Sequence, residues 1–424
     1  MARRASWVEA ANDPGSDFPL ENLPYGVAAA PDGRRFCAVA IGDRVLDAAT
    51  LEAEGLIGVP GGPVCAAPGW GALMARGPAA WAALRARLGE LLAEGGDPAL
   101  RRRSDLRAKC LLRHNEVSLS MPFDVAEFTD FYAGRHHAEA VGSMFRGPES
   151  ALLPNWLSMP VGYNGRASSV VVSGTGVRRP WGQVKPGDGP PVLAPSARFD
   201  FELELGAVIG EPSAGPVTVA EARGMIFGYV LVNDWSARDV QTWEYQPLGP
   251  FQSKAAATTV SPWIVPAAAL APFAAPAPRR ARPLLPYLAD AGDDFLDLEL
   301  EVTLAPGDGT PTTIARTNAR ALYYSFPQMI AHHTVSGCPM RVGDLIGSGT
   351  ISGPDPGTQG CLLELSRGGA EPVRLDSGAA RCFLEDGDRV VLQGWAQGAG
   401  YRIGFGDCAG RILPALTDPF ARQA

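Results

Sequence analysis

The stretch "RFDFELELG", residues Arg198–Gly206, sets the first constraint on this chain. A strand period of two sends Phe201, Leu203 and Leu205 to one face and Asp200, Glu202 and Glu204 to the other. Like charges two residues apart on one face repel, so the acidic face calls for either water or a cation. A half-solvated amphipathic strand is the simpler account. A cation becomes the better one if other segments bring oxygen ligands to the same place.

Around this stretch the chain is rich in short β runs: "SSVVVSG", "DFLDLELEVTL", "CLLELSRGG" and "DRVVLQGWAQG". Few helices interrupt them and βαβ spacing is missing, which predicts a mainly β fold, a mixed roll or sandwich, over residues 121–424. Upstream, "LPYGVAAAPDGRRFCAVAIGDRVLDAA" alternates apolar runs with Asp-Gly and Gly-Asp, the pattern of hairpins in a small β domain over residues 1–120. Helical spacing is clearest at "GPAAWAALRARLGELLAEG", 77–95. A second helix is expected within "TNARALYYSFPQMIAHHTVSGC", capped by Asn318, stopped by Gly337 and kinked or interrupted at Pro327. The proline-alanine segment 266–278 reads as a stiff surface loop.

The chain has 424 residues and a net charge of -8, enough length for more than one domain and no general attraction for a nucleic-acid backbone. The uncharged stretch "SPWIVPAAALAPFAAPAP" carries five prolines, which a membrane helix does not tolerate. The N-terminus lacks the apolar run of a signal peptide. Seven cysteines without close sequence pairs suit a reducing compartment. A soluble cytoplasmic protein is expected, with no nucleic-acid or membrane partner.

Several familiar chemistries are absent. There is no Gly-x-Ser-x-Gly elbow, no His-Glu-x-x-His and no cysteine pair for zinc. "GSGTISG", Gly347–Gly353, lacks the Lys-Ser/Thr ending of a phosphate loop and reads as a turn. Two segments are dense in reactive side chains. "FTDFYAGRHHAEAVGSMFRG" gathers Asp130, Arg135, His136 and His137, and a histidine there can take a proton from water. "VNDWSARDVQTWEYQPLGPFQSK" gathers Asp234, Arg238, Gln241, Tyr245 and Lys254, cations beside aromatics that suit a carboxylate-bearing ligand. Acidic residues from three segments make a hard, all-oxygen site, suited to Ca²⁺ or Mg²⁺.

The segments "TDFYAGRHHA", "MFRGPESALLPNWLSMPVGYNGRASSVVVSG", "NDWSARDVQTWEYQPLGPF" and "YRIGFGDCAGRILPAL" resemble the fumarylacetoacetate hydrolase family, over nearly the whole chain. The resemblance implies a small SH3-like N-terminal barrel, a β-roll catalytic domain and a homodimer. It implies hydrolysis of the carbon–carbon bond of 4-fumarylacetoacetate to fumarate and acetoacetate, the last step of tyrosine and phenylalanine degradation. It further implies a metal on Asp130, Glu202, Glu204 and Asp234, and a general base, His137, held by Glu364. Tyr132, Arg146, Tyr163, Gln241, Tyr245 and Thr350 would line the substrate pocket, and Arg238, Gln241 and Lys254 would hold the oxyanion and leaving group. A further Mg²⁺ would lie near Asp234, Lys254 and Thr258, partly on backbone oxygens. Ala257 stands where the family commonly has glycine, which puts that second site in question if the position requires φ > 0. Asp200 matches no implied ligand and is expected to be solvated or to sit behind the ligands.

Two other readings remain open at this level. An acylpyruvate or other β-diketone hydrolase of the same family would share metal and base, although such relatives usually lack the N-terminal domain. An inactive, metal-stabilised structural protein would need neither His137 nor Glu364.

Overall fold

A computed structural model of the protein describes residues 4–418. The region carrying the opening stretch is an eight-stranded sheet. Its main path runs Gly162–Asn164, Phe128–Phe131, Leu345–Gly347, Leu203–Ile209, Ile226–Asp234, Thr258–Val260, Val170–Val172. Most pairs are antiparallel, but Leu345–Gly347 runs parallel to Phe128–Phe131, and Thr258–Val260 parallel to Val170–Val172. A six-stranded sheet holds Thr312–Asn318, Glu299–Ala305, Arg389–Gly398, Cys408–Leu413 and Gly176–Arg178 in that order. Leu203, Leu205, Ala207 and Leu231 of the first sheet share one core with Leu300, Val302, Leu392 and Ile412 of the second. Close approach between the sheets requires Gly394, where a Cβ would press on Leu231 and Leu300.

The opposite face of the first sheet changes character along its strands. Phe128, Val208, Val230, Val232, Val260 and Leu345 join the core of the N-terminal part. Two residues further along their strands stand Asp130, Gly206, Asp234, Thr258 and Gly347, and Glu204 follows Gly206 by the same step. A single sheet face is therefore apolar at one end and acidic at the other, and the N-terminal part covers the apolar end.

That N-terminal part contains a five-stranded antiparallel sheet, ordered Leu111–Arg113, Arg44–Asp47, Arg35–Ile41, Tyr25–Ala29, Ser118–Ser120. The hairpins expected from Asp-Gly and Gly-Asp turn at Gly33 and Gly42, with φ of 84° and 55°, conformations that glycine adopts without a Cβ clash. The predicted helix forms over Pro78–Leu92, with Pro78 in its first turn and Leu84, Leu88, Leu91 and Leu92 on the buried side. Tyr25 and Ile264 exchange backbone hydrogen bonds of 2.9 and 2.7 Å, tying this part to the larger one.

Two local expectations are corrected. The stretch 317–338 is not one helix with a kink. The strand Thr312–Asn318 ends at Asn318, whose side chain caps a short 3-10 turn by accepting from Arg320 N. The helix Phe326–Thr334 starts afresh with a capping box between Ser325 and Gln328, and Pro327 lies in its first turn, where a missing N–H costs nothing. The segment 266–278 is not a bare loop: Ala267–Leu270 is helical, Ala274–Ala275 pairs with Phe295–Leu296, and Leu270 is fully buried.

Candidate active site

The three carboxylates of the opening stretch are all buried, so the acidic face does not meet water. Each is compensated differently. Asp200 is saturated: Oδ1 accepts from Phe201 N and Leu362 N at 2.9 and 2.8 Å, and Oδ2 from Leu363 N and Arg238 Nε, both at 2.9 Å. Glu202 is paired with two cations, accepting from Arg238 Nη1 at 2.6 Å and from Lys254 Nζ. Burial alone would raise the Glu202 carboxyl, but Lys254 and Arg238 outweigh it and hold the group well below its ordinary range. Glu204 has nothing: both oxygens are buried without a donor.

Strand register explains the grouping. Asp130 lies opposite Gly347, Gly347 opposite Gly206, and Glu204 follows Gly206 on the same face. Asp234 ends its strand opposite Thr258, and its amide donates to Glu202 O. The carboxylate oxygens of Asp130, Glu202, Glu204 and Asp234 all come within 4.8 Å of one another. Asp234 is further bound by Tyr163 OH at 2.8 Å, Lys254 Nζ at 2.8 Å and Thr258 Oγ1 at 3.1 Å. Burial, and then the charge of Asp234, push the Asp130 carboxyl far up. Burial, and then Asp130, do the same to Glu204. The Lys254 ammonium is pulled down by burial, but Asp234 and Glu202 more than restore it and leave it above its usual range.

The fit to a divalent cation follows from these facts. Five buried carboxylates, counting Asp200, face two buried cations, Arg238 and Lys254. The two undonated Glu204 oxygens have Asp130, another carboxylate, as their neighbour, so a proton or a cation must lie between them. Gly347 leaves the room, since a Cβ there would overlap Asp130 Oδ1 and approach Glu204 Oε2. All-oxygen donors of this charge suit Ca²⁺ or Mg²⁺.

Beside this group, the helix Arg135–Arg146 presents His137. Its Nδ1 lies 2.6 Å from Glu364 Oε2, with both side chains buried. Burial pushes the Glu364 carboxyl up, but His137 and hydrogen bonds from Cys361 and Ser352 reverse this and leave it lowered. Glu364 is thus ionised at neutral pH and accepts a hydrogen bond from the Nδ1–H, which leaves Nε2 with its lone pair. The Tyr132 ring stands edge-on to the imidazole at 5.4 Å.

A cavity of about 330 Å³ joins these groups, lined by Asp130, Tyr132, His137, Arg146, Tyr163, Glu202, Arg238, Gln241, Tyr245, Lys254 and Thr350. Glu204, Asp234, Thr258 and Glu364 lie behind this wall. A larger cavity of about 660 Å³, lined by Trp181, Gln183 and Trp243 among others, contains none of these carboxylates. Arg238 Nη1 also donates to Gln241 Oε1 at 3.1 Å, while Arg238 Nη2 and Thr350 Oγ1 are buried without a partner. Arg146 is turned partly to backbone carbonyls, donating to Ser150 O and Ala151 O. Tyr245 stacks on Phe145 at 6.1 Å.

The family described as fumarylacetoacetate (FAA) hydrolase C-terminal matches residues 127–413, and fumarylacetoacetase N-terminal matches 21–122. The chain belongs to the fumarylacetoacetate hydrolase family. Among its relatives, the fumarylacetoacetase of Bos taurus is 46% identical over 419 residues, covering 97% of this chain and 99% of the relative. The fumarylacetoacetase of Arabidopsis thaliana is 45% identical over 424 residues, covering 98% and 100%. The solved fumarylacetoacetate hydrolase of Exiguobacterium antarcticum shares the fold, with a TM-score of 0.53 and 15% identity over 92% of this chain and 99% of that one.

Within this fumarylacetoacetate hydrolase fold, Ala257 is not strained. Leu23 and Arg367 are the non-glycine residues with positive φ among the described residues, so the backbone at 257 asks nothing of glycine. Sequence reasoning gave no sign of Ser352 and Cys361, which bond Glu364 at 2.9 and 3.1 Å, or of the space left by Gly347. Only the fold brings them together: Ser352 follows a strand end, Cys361 precedes the short helix Leu362–Leu365, and neither spacing is a motif.

Proposed function

We propose that this cavity hydrolyses the carbon–carbon bond of 4-fumarylacetoacetate to fumarate and acetoacetate, the last step of tyrosine and phenylalanine degradation. The observation that carries the reading is the His137–Glu364 pair and the four-carboxylate group sharing one cavity. The two relatives named above carry the name fumarylacetoacetase and align end to end with this chain.

A β-diketone breaks when hydroxide adds to one carbonyl and the adjoining carbon–carbon bond breaks, its electron pair departing on the leaving carbon as an enolate that takes up the proton removed from water. In this reading His137 Nε2 takes the proton from water, because Nδ1 is engaged by Glu364, which also favours the imidazolium that results. Arg238, Gln241 and Lys254 hold donors towards the oxyanion and the leaving group, and the unpartnered Arg238 Nη2 is the donor available to substrate. Lys254 remains an ammonium, a positioned charge and not a base. Tyr132, Arg146, Tyr163, Gln241, Tyr245 and Thr350 surround the substrate. Asp130, Glu202, Glu204 and Asp234 would hold Ca²⁺ or Mg²⁺, which supplies Lewis-acid polarisation of the diketone and charge for the departing enolate. Lys254 and Thr258 would border a second Mg²⁺ through backbone oxygens.

The same reading includes a division of the chain near residue 120, an SH3-like N-terminal barrel, a homodimer and a cytoplasmic location. The test is turnover. Protein stripped with chelator and restored with Ca²⁺ or Mg²⁺ should consume the ultraviolet absorbance of 4-fumarylacetoacetate. Turnover with neither ion would overturn the reading. So would acylpyruvates cleaved as fast or faster.

A further inference from the structure

Asp200 is completely buried beside the site, and none of the roles above uses it. Its strand face is that of Glu202 and Glu204, but its chemistry is opposite to theirs. Each oxygen of Glu204 lacks a donor, whereas each oxygen of Asp200 already accepts two. A carboxylate with four donors has no lone pair left for a cation. What those donors belong to is the informative part. Leu362 N and Leu363 N open the short helix that carries Glu364, and Glu364 orients His137. Arg238 Nε belongs to the guanidinium whose Nη1 pairs with Glu202 and whose Nη2 is the unpartnered donor of the cavity.

We infer that Asp200 is a positioning residue that clamps the base-bearing helix and the Arg238 guanidinium to one point. It fixes the distance between the proton acceptor, His137, and the oxyanion donor, Arg238. The inference rests on the roles proposed for those two side chains. With Nε and Nη1 both anchored, the planar guanidinium has one allowed orientation, and Nη2 is the end left for substrate. With Leu362 N and Leu363 N anchored, the Glu364 backbone cannot slide along the imidazole. Removing the clamp disturbs both ends together and leaves the cation ligands in place.

Asp200→Asn tests this, because it keeps the size and replaces one acceptor by a donor. Two of the four N–H groups then face an NH₂. The expected result is a loss of kcat of about 10–100-fold, the scale typical of lost outer hydrogen-bond partners, with KM and Ca²⁺ affinity by calorimetry within about threefold of wild type. A second readout does not depend on turnover. The His137 Nδ1 proton, held at 2.6 Å by Glu364, should give a downfield proton resonance identified by its loss in His137→Ala. It should shift or broaden in Asp200→Asn and stay in place in Glu204→Gln. Unchanged kcat with an unchanged resonance overturns the inference, as does loss of Ca²⁺ affinity equal to that of Glu204→Gln, which would make Asp200 a ligand. If wild-type protein does not cleave 4-fumarylacetoacetate, the proposed function fails, and the resonance still decides the clamp. Asp200→Ser, which removes acceptors without adding an opposed NH₂, repeats both readouts if the asparagine variant does not fold.

Discussion

Gly347→Ala is the sharpest available test of the carboxylate group as a cation site. The glycine has ordinary negative φ, so alanine costs no backbone strain, and the new methyl acts only on what surrounds it. It would overlap Asp130 Oδ1 and come within 3.3 Å of Glu204 Oε2, forcing the Asp130 carboxylate off its position. A ligand displaced by a neighbour typically costs about 10–100-fold in metal affinity. Thermal unfolding reads this as linkage. At a Ca²⁺ concentration of about 100 times the wild-type Kd, the ion stabilises the wild type by about 2.7 kcal/mol. At the same concentration a tenfold weaker variant gains about 1.4 kcal/mol, and a hundredfold weaker one about 0.4 kcal/mol. In chelator the variant should be the less stable by about 1–3 kcal/mol, the cost of overpacking a buried site, so the Ca²⁺ shift is read within each protein. Calorimetric titration gives the affinities independently. An unchanged Ca²⁺ shift in Gly347→Ala would refute the assignment of Asp130 and Glu204 to one cation.

Three further outcomes are expected. His137→Ala should lower kcat by about 10²–10⁴ with Ca²⁺ binding unchanged; a loss of less than about tenfold would remove His137 as the base. Lys254→Met leaves Glu202 and Asp234 without their shared cation and should destabilise the stripped protein by about 3–5 kcal/mol, measured by urea unfolding, with Ca²⁺ recovering part of it. The raised Asp130 and Glu204 carboxyls mean that the stripped folded state binds more protons than the unfolded chain above the ordinary carboxylate range. Stability in chelator should therefore fall as pH rises above the ordinary carboxylate range, and saturating Ca²⁺ should flatten the fall; a rise with pH in chelator would contradict those shifts.

Alternation in "RFDFELELG" was readable because a strand has only two faces, and Phe199, Phe201, Leu203 and Leu205 do fill the core between the sheets. What the pattern could not convey is that the other face is buried too, since burial of Asp200 depends on donors from residues 362–363 and 238. The helix at 78–92 followed from its apolar spacing. The helix after Ser325 was misplaced because Asn318 and Ser325 are both good caps, and only tertiary pairing of Thr312–Asn318 with Glu299–Ala305 decides between them. Parallel pairing of Leu345–Gly347 with Phe128–Phe131 joins residues more than two hundred positions apart and leaves no local trace. The residues around the cavity were legible through family resemblance, whereas the room at Gly347 and the saturation of Asp200 were not, because both are properties of neighbours.

The sheet face that is apolar at one end and acidic at the other has a consequence for how the chain can be divided. Seven side chains at its apolar end, Val208, Phe227, Val230, Val232, Val260, Ile264 and Leu345, are sealed by the N-terminal part. Each such burial is worth about 1.5–3 kcal/mol, so a fragment lacking the first 120 residues would present a sticky surface one turn of the pleat from its ligands. The N-terminal part thus acts as a backing plate: it braces the strands whose other ends carry the cluster. Damage far from the cavity, at Tyr25 or Leu84, then reaches the site through those strands, with every ligand still present.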